Sequence, residues 1–194
     1  MTWNSPKTKN ASSTSPIESG ARHSPQTKNA SSTSPIESGA RPILVSACLA
    51  GVPCRYDGRH CVLASVVELV RSRRALPACP EHLGGLGCPH PACEIQGGGG
   101  DAVLDGLARV ADQEGRDVTS YYLRGAQRLA EIAKRHGCRE AWLKSKSPAC
   151  GCGLIYNGRF SNELAPGDGV ATALLKRMGI VVRSQEAVPS AEKP

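Results

Sequence analysis

Nine cysteines hold most of the chemical potential of this 194-residue chain. Their successive separations from Cys48 to Cys152 are 6, 7, 18, 9, 5, 45, 12 and 2, so no pair forms a C-x-x-C. That disfavours zinc ribbons, thioredoxin-type dithiols and bacterial ferredoxin runs. An odd number of thiols cannot pair fully within one chain. The first residues show no basic start followed by an apolar stretch, so a cytoplasmic, reducing location is expected, where thiols serve metals or chemistry. Cys48, Cys79 and Cys150 each follow a short apolar run and precede a Gly- or Pro-containing loop. Three thiolates on three loops suit an iron–sulfur cluster with one iron free of protein ligand. A zinc site of scattered cysteines, or three small buried hydrophobes, stays open on spacing alone.

The elements that must place these thiols can be read around them. Ile43-Leu44-Val45 reads as a buried strand running into Ser46-Ala47-Cys48. Val62–Arg73 has apolar residues at helical spacing and a basic end. Leu76–Cys79 is a second strand, and the Gly- and Pro-rich stretch 80–106 reads as one long functional loop. A short hairpin is expected around Ala108–Val118. A helix follows, capped by Thr119 or Ser120 and stopped by Gly137. Ala141-Trp142-Leu143 is a third strand, Gly169–Met178 a last helix and Ile180-Val181-Val182 a last strand. Alternating strands and helices predict a single Rossmann-like α/β domain over residues 42–185 with a mostly parallel sheet. Ligands gather at the carboxyl ends of such strands, the ends that carry the three cysteines.

Residues 5–22 and 24–41 are a tandem copy that differs only at Lys7 and Gln26. The unit is Ser/Thr/Pro/Asn-rich and cannot bury enough to offset chain entropy, so 1–41 is expected to be a disordered tail. Residues 186–194 are expected to be a flexible C-terminal tail. The first 41 residues hold five Lys/Arg against two Glu, leaving 19 against 15 in the rest. The folded part is therefore only mildly basic, which suits a small anionic molecule and disfavours nucleic acid as partner. No apolar run reaches the roughly 18–20 residues of a membrane span.

Four motifs, in order, carry a resemblance: Ile43–Gly58 (ILVSACLAGVPCRYDG), Cys79-Pro80-Glu81 with Gly84-Gly85-Leu86, Lys146–Gly151 (KSPACG) and Gly167-Asp168-Gly169-Val170. Together they resemble the thiouracil desulfidase family over about residues 42–183. The resemblance implies a non-redox, hydrolase-type enzyme that converts thiouracils (4-thiouracil, 2-thiouracil or 4-thio-UMP) to uracil or UMP and sulfide. It implies a 4Fe–4S cluster held by Cys48, Cys79 and Cys150, with Glu81 as catalytic acid/base and Ser147 as catalytic serine. Arg55, Tyr56 and Asp57 are candidates for substrate binding, with an Arg–Asp brace of the loop as the competing role. Cys54 is taken as a spare thiol. Cys152 is the rival fourth ligand, and would turn the site into a fully ligated cluster for electron transfer or metal binding without turnover. The chain departs from the family where members carry a Pro-Thr-Pro-Arg-Pro stretch. Here Cys88 stands for the Thr, His90 for the Arg and Cys93 for a small residue.

Overall fold

Short apolar strands separated by helices satisfy their backbone groups and bury both faces as a parallel sheet. The computed structural model, which describes residues 41–187, has such a sheet at its centre. In chain order the elements are Ile43–Ser46 (β1), Ala64–Arg71 (α1), Ala75–Ala78 (β2), Pro80–Gly84 (α2), Cys93–Gln96 (β3) and Gly100–Leu104 (α3). Arg109–Asp112 (β4), Thr119–Arg135 (α4), Glu140–Leu143 (β5), Leu154–Tyr156 (β6), Leu164–Pro166 (β7), Val170–Arg177 (α5) and Val181–Ser184 (β8) follow. The sheet runs β2-β1-β5-β8 with every pair parallel. Leu44 and Val45 on β1 are both fully buried. Leu44 belongs to the core with Leu129 of α4 and Leu175 of α5, and Val45 to the core with Val66 of α1. The result is a three-layer α/β domain, as the alternation of elements predicts. The chain leaves β1 toward β2 on one side and returns as β5 on the other. That reversal opens a crevice at the carboxyl ends of β1 and β5.

The stretch 80–106 is not one long loop. It contains α2, β3 and α3, and β3 pairs antiparallel with β4. The hairpin expected over Ala108–Val118 is only half formed: β4 takes its partner from β3, while Asp117 makes a single bridge to Ala111. Helix α4 begins at Thr119, but neither Thr119 nor Ser120 caps it. Asp117 Oδ1 accepts the Thr119 N–H at 2.9 Å, and Thr119 Oγ1 accepts the Val110 N–H at 2.9 Å, tying α4 to β4. The β6–β7 hairpin was not legible in the sequence pattern.

The tandem-repeat tail expected over 1–41 lies outside the described residues except Arg41, as does the C-terminal tail except Glu186 and Ala187. These two belong to a 3-10 turn, Gln185–Ala187, and the Glu186 carboxylate accepts the Ser145 hydroxyl at 2.5 Å. Among the described residues, no helix is long and apolar enough to cross a membrane.

Candidate active site

Three chain segments end together at the crevice. After β1, the 3-10 turn Ala47–Ala50 puts Cys48 under the strand end, 7% exposed. Gly51, at φ +93°, then reverses the chain, a conformation that favours glycine. The loop folds back so that the Cys61 N–H donates to the Cys48 carbonyl at 3.0 Å. This return carries Cys54 into the same cavity as Cys48 and Cys79.

After β2, Cys79 takes the capping position of α2 and Pro80 its first turn, where a missing N–H costs nothing. Glu81 follows in that turn. The helix has only five residues, too few to hold itself. It is fixed by backbone contact with α4: a Cβ at Gly84 would strike the Tyr121 carbonyl, and one at Gly125 the Pro80 carbonyl.

After β5, the loop reaches Ser147, whose Oγ accepts the N–H groups of Ala149 and Cys150 at 3.1 Å each. Helix α5 then clamps this turn. Its otherwise unpaired first N–H groups donate to the loop: Val170 to Pro148 at 2.8 Å and Ala171 to Ala149 at 2.9 Å. Thr172 Oγ1 donates to the Cys150 carbonyl at 2.9 Å. A Cβ at Gly169 would collide with the Ala149 carbonyl, so the Gly-Asp-Gly-Val motif is an approach of backbone to backbone.

The three segments enclose a cavity of about 320 Å³, lined by Cys48, Cys79, Cys150, Glu81 and Ser147 together with Arg55 and Tyr56. The Ser147 hydroxyl lies 3.5 Å from Glu81 Oε1, and both of its acceptor positions serve backbone N–H groups, so its own proton faces the carboxylate. Ser46 Oγ accepts the Lys144 N–H at 3.0 Å and donates to Cys150 Sγ at 3.4 Å. Asp57 does not line the cavity. Its carboxylate accepts from Arg55 Nε and Nη2 at 3.2 and 3.1 Å and also pairs with Arg59. Asp57 therefore braces Arg55, which in turn donates to Cys61 Sγ at 2.6 Å.

Cys54, Cys79 and Cys150 are held neutral by their surroundings. The Cys48 sulfur, opposed by a contact from Cys79 and reinforced by burial, pushes Cys54 up to about 12. Cys54 and burial push Cys79 up, and burial pushes Cys150 up against the Ser46 hydroxyl. Thiols in such a setting are poor nucleophiles by themselves, and a bound cation would deprotonate them. Among the described residues no three His, Cys, Asp or Glu side chains converge closely enough to hold a single ion. A cluster takes its thiolates at separate corners, which a set of free cysteines around one cavity can supply.

A model of the 2-thiouracil desulfurase family matches residues 43–187. The chain belongs to the 2-thiouracil desulfurase family. It is 45% identical over 143 residues to the uncharacterized protein YbbK of Bacillus subtilis, covering 74% of this chain and 95% of that one. A solved structure of the 4Fe–4S-dependent thiouracil desulfidase TudS is 42% identical, with a TM-score of 0.69, covering 77% of this chain and 93% of that one.

In this member of the family, the structure brings together seven of the eight site residues expected from sequence and leaves Asp57 behind the wall. Cys152 does not line the cavity; its thiol donates to the Val182 carbonyl at 3.5 Å. Cys138 is buried in the core behind α4. Cys54, His90, Cys93, Tyr122, Lys144 and Lys146 line the cavity but were not read as site residues. Cys54 carried a signal, six residues after Cys48 in a turn-rich loop. His90 had one too, as a departure from the family's Arg.

Proposed function

We propose that this chain is a 4Fe–4S-dependent desulfidase that hydrolyses the thiocarbonyl of a thiolated uracil, free or as its nucleotide. Cys48, Cys79 and Cys150 would hold the cluster: three soft donors on three segments around one cavity fit it, and this chemistry is what TudS is described as depending on. The observation that carries the reading is the Glu81–Ser147 pair at 3.5 Å on the wall shared with those thiols. When bound, such a cluster supplies a Lewis-acidic iron for a soft thiocarbonyl sulfur.

The chain's own residues do the rest. Glu81 takes a proton from the water that attacks the thiocarbonyl carbon. Ser147 donates to Glu81 and keeps one carboxylate oxygen aimed at that water. Arg55, braced by Asp57, and Tyr56 form the part of the wall that meets the pyrimidine ring. The carbon gains the water oxygen, the carbon–sulfur bond breaks, and both water protons end on sulfide. No electron is transferred.

The test is to load the full chain with iron and sulfide without oxygen and add 4-thiouracil or 4-thio-UMP. Loss of the thiocarbonyl absorbance with matching sulfide release is expected. A bound cluster with no turnover on either compound overturns the reading. One observation favours a second reading, a fully ligated cluster for electron transfer: Cys54 lies in the cavity as a fourth thiol. Under that reading Cys54→Ser loses the cluster from a protein that never turned over.

A further inference from the structure

A carboxylate works as a base when both its oxygens are placed, and Ser147 reaches only one of those on Glu81. The other, Oε2, faces His90 Nε2 at 3.5 Å. The His90 side chain is 10% exposed, and its buried Nε2 makes no hydrogen bond, so its one polar contact is this charge pairing with Glu81. The rest of the residue is fully committed. Its backbone N–H donates to the Tyr56 carbonyl at 2.9 Å, which ties it to the loop after β1. Its Nδ1 lies 2.8 Å from the Pro91 carbonyl and 3.9 Å from Cys93 Sγ. A carbonyl only accepts, so Nδ1 carries a proton. Nε2 is then the single free nitrogen of a fixed ring, and a carboxylate oxygen lies 3.5 Å from it.

Arg55 and Lys144 also line the cavity but are engaged elsewhere, and Lys146 makes no ion pair with Glu81. Arg55 is held by Asp57, and Lys144 Nζ donates to the Ser145 carbonyl at 2.9 Å. Among the described residues, His90 is the only basic side chain paired with Glu81. Resting on the reading of Glu81 as base, we propose that His90 is a positioning residue for desulfuration, holding Glu81 Oε2 through Nε2 while Ser147 holds Oε1. The carboxylate is thereby clamped between the segment joining α2 to β3, itself tied to the loop after β1, and the loop after β5. The Cys93 sulfur and the Glu81 carboxylate push His90 up to about 10 against the effect of burial, which agrees with a proton on Nε2.

Three substitutions separate this role from simple packing. His90→Gln places an amide N–H where Nε2 was; His90→Asn carries the same amide but reaches only the Nδ1 position; His90→Phe keeps the ring and removes both nitrogens. In the cluster-loaded protein, Asn and Phe are expected to lower kcat about tenfold, the scale of one charge-assisted hydrogen bond, with KM within about twofold. Gln is expected to stay within about threefold of wild type, and all three to keep their iron. In the cluster-free full chain, the His90 ring-nitrogen NMR signal is expected to move in Glu81→Gln. Wild-type kcat in Phe, a Gln variant as impaired as Phe, a loss confined to KM, or an unmoved nitrogen signal would each sink the proposal. If Glu81→Gln itself stays fully active, the base assignment falls and the clamp with it. An inactive Glu81→Gln beside a fully active Phe variant removes the clamp alone.

Discussion

Ser147 and Glu81 show how one side chain can serve structure and chemistry together. Two backbone N–H groups occupy the acceptor side of the Ser147 oxygen, so its proton has one direction left, toward Glu81 at 3.5 Å. Glu81→Gln keeps the size and polarity but cannot take a proton, so kcat is expected to fall about 10²–10⁴-fold with iron content unchanged. Ser147→Ala is expected to cost roughly tenfold in kcat, one hydrogen bond, plus some stability from the two N–H groups left bare. Steady-state kinetics beside iron analysis checks both, and an active Glu81→Gln rejects the assignment. Cys152 gives the matching control. Its thiol turns to β8, so Cys152→Ser is expected to keep iron and activity, whereas Cys150→Ser is expected to lose both. Retained iron in Cys150→Ser would remove it from the ligand set. At this scale the sequence exposed the residues that sit at strand ends. Cys54 and His90 escaped it because contacts between distant loops place them, such as the His90–Tyr56 backbone bond.

Glycines decide where the short elements sit. Helix α2 carries Glu81, and its position depends on Gly84 meeting the backbone of α4 and Gly125 meeting Pro80. Gly125→Ala raises helix propensity in α4, by itself a gain of up to about 1 kcal/mol. The new methyl, however, lands on the Pro80 carbonyl and must push α2 away. Overpacking of this kind costs about 1–3 kcal/mol, so the net effect is expected to be destabilising. A lower urea midpoint together with a kcat loss larger than that of a distant Gly137→Ala checks it. Undiminished kcat would show that α2 does not need this contact to aim Glu81. The same packing explains what the sequence hid. The strands of the sheet and α1, α4 and α5 announce themselves through apolar periodicity. By contrast, α2, β3 and α3 lie in a stretch whose glycines and prolines read locally as loop. Two of those glycines are demanded by close approach: a Cβ at Gly84 would meet the Tyr121 carbonyl, and one at Gly100 the Gly169 carbonyl. Such a requirement belongs to tertiary structure, and no local pattern carries it.

Across the described domain, the loops that close the cavity are held by ion pairs on opposite sides of the pH scale. Burial raises Asp57, but Arg59 and Arg55 outweigh it and bring Asp57 down to about 2 from its ordinary 3.8. A carboxyl lowered in the folded state contributes stability above its ordinary value, and that contribution is lost as pH falls through about 2. His90 has the opposite sign. Raised to about 10 by Cys93 and Glu81, it contributes fully below its ordinary 6.5 and loses that contribution as pH climbs through about 10. The two loops should therefore be best held together between about pH 4 and 6.5, the window left by these two groups. Thermal midpoints of the full cluster-free chain, taken across pH, test this. The wild type is expected to decline on both limbs, Asp57→Asn to flatten the acid limb, and His90→Gln to flatten the alkaline limb between about 6.5 and 10. If His90→Gln leaves the alkaline limb as steep as in wild type, the ring does not exchange its proton with folding, and another group sets that limb.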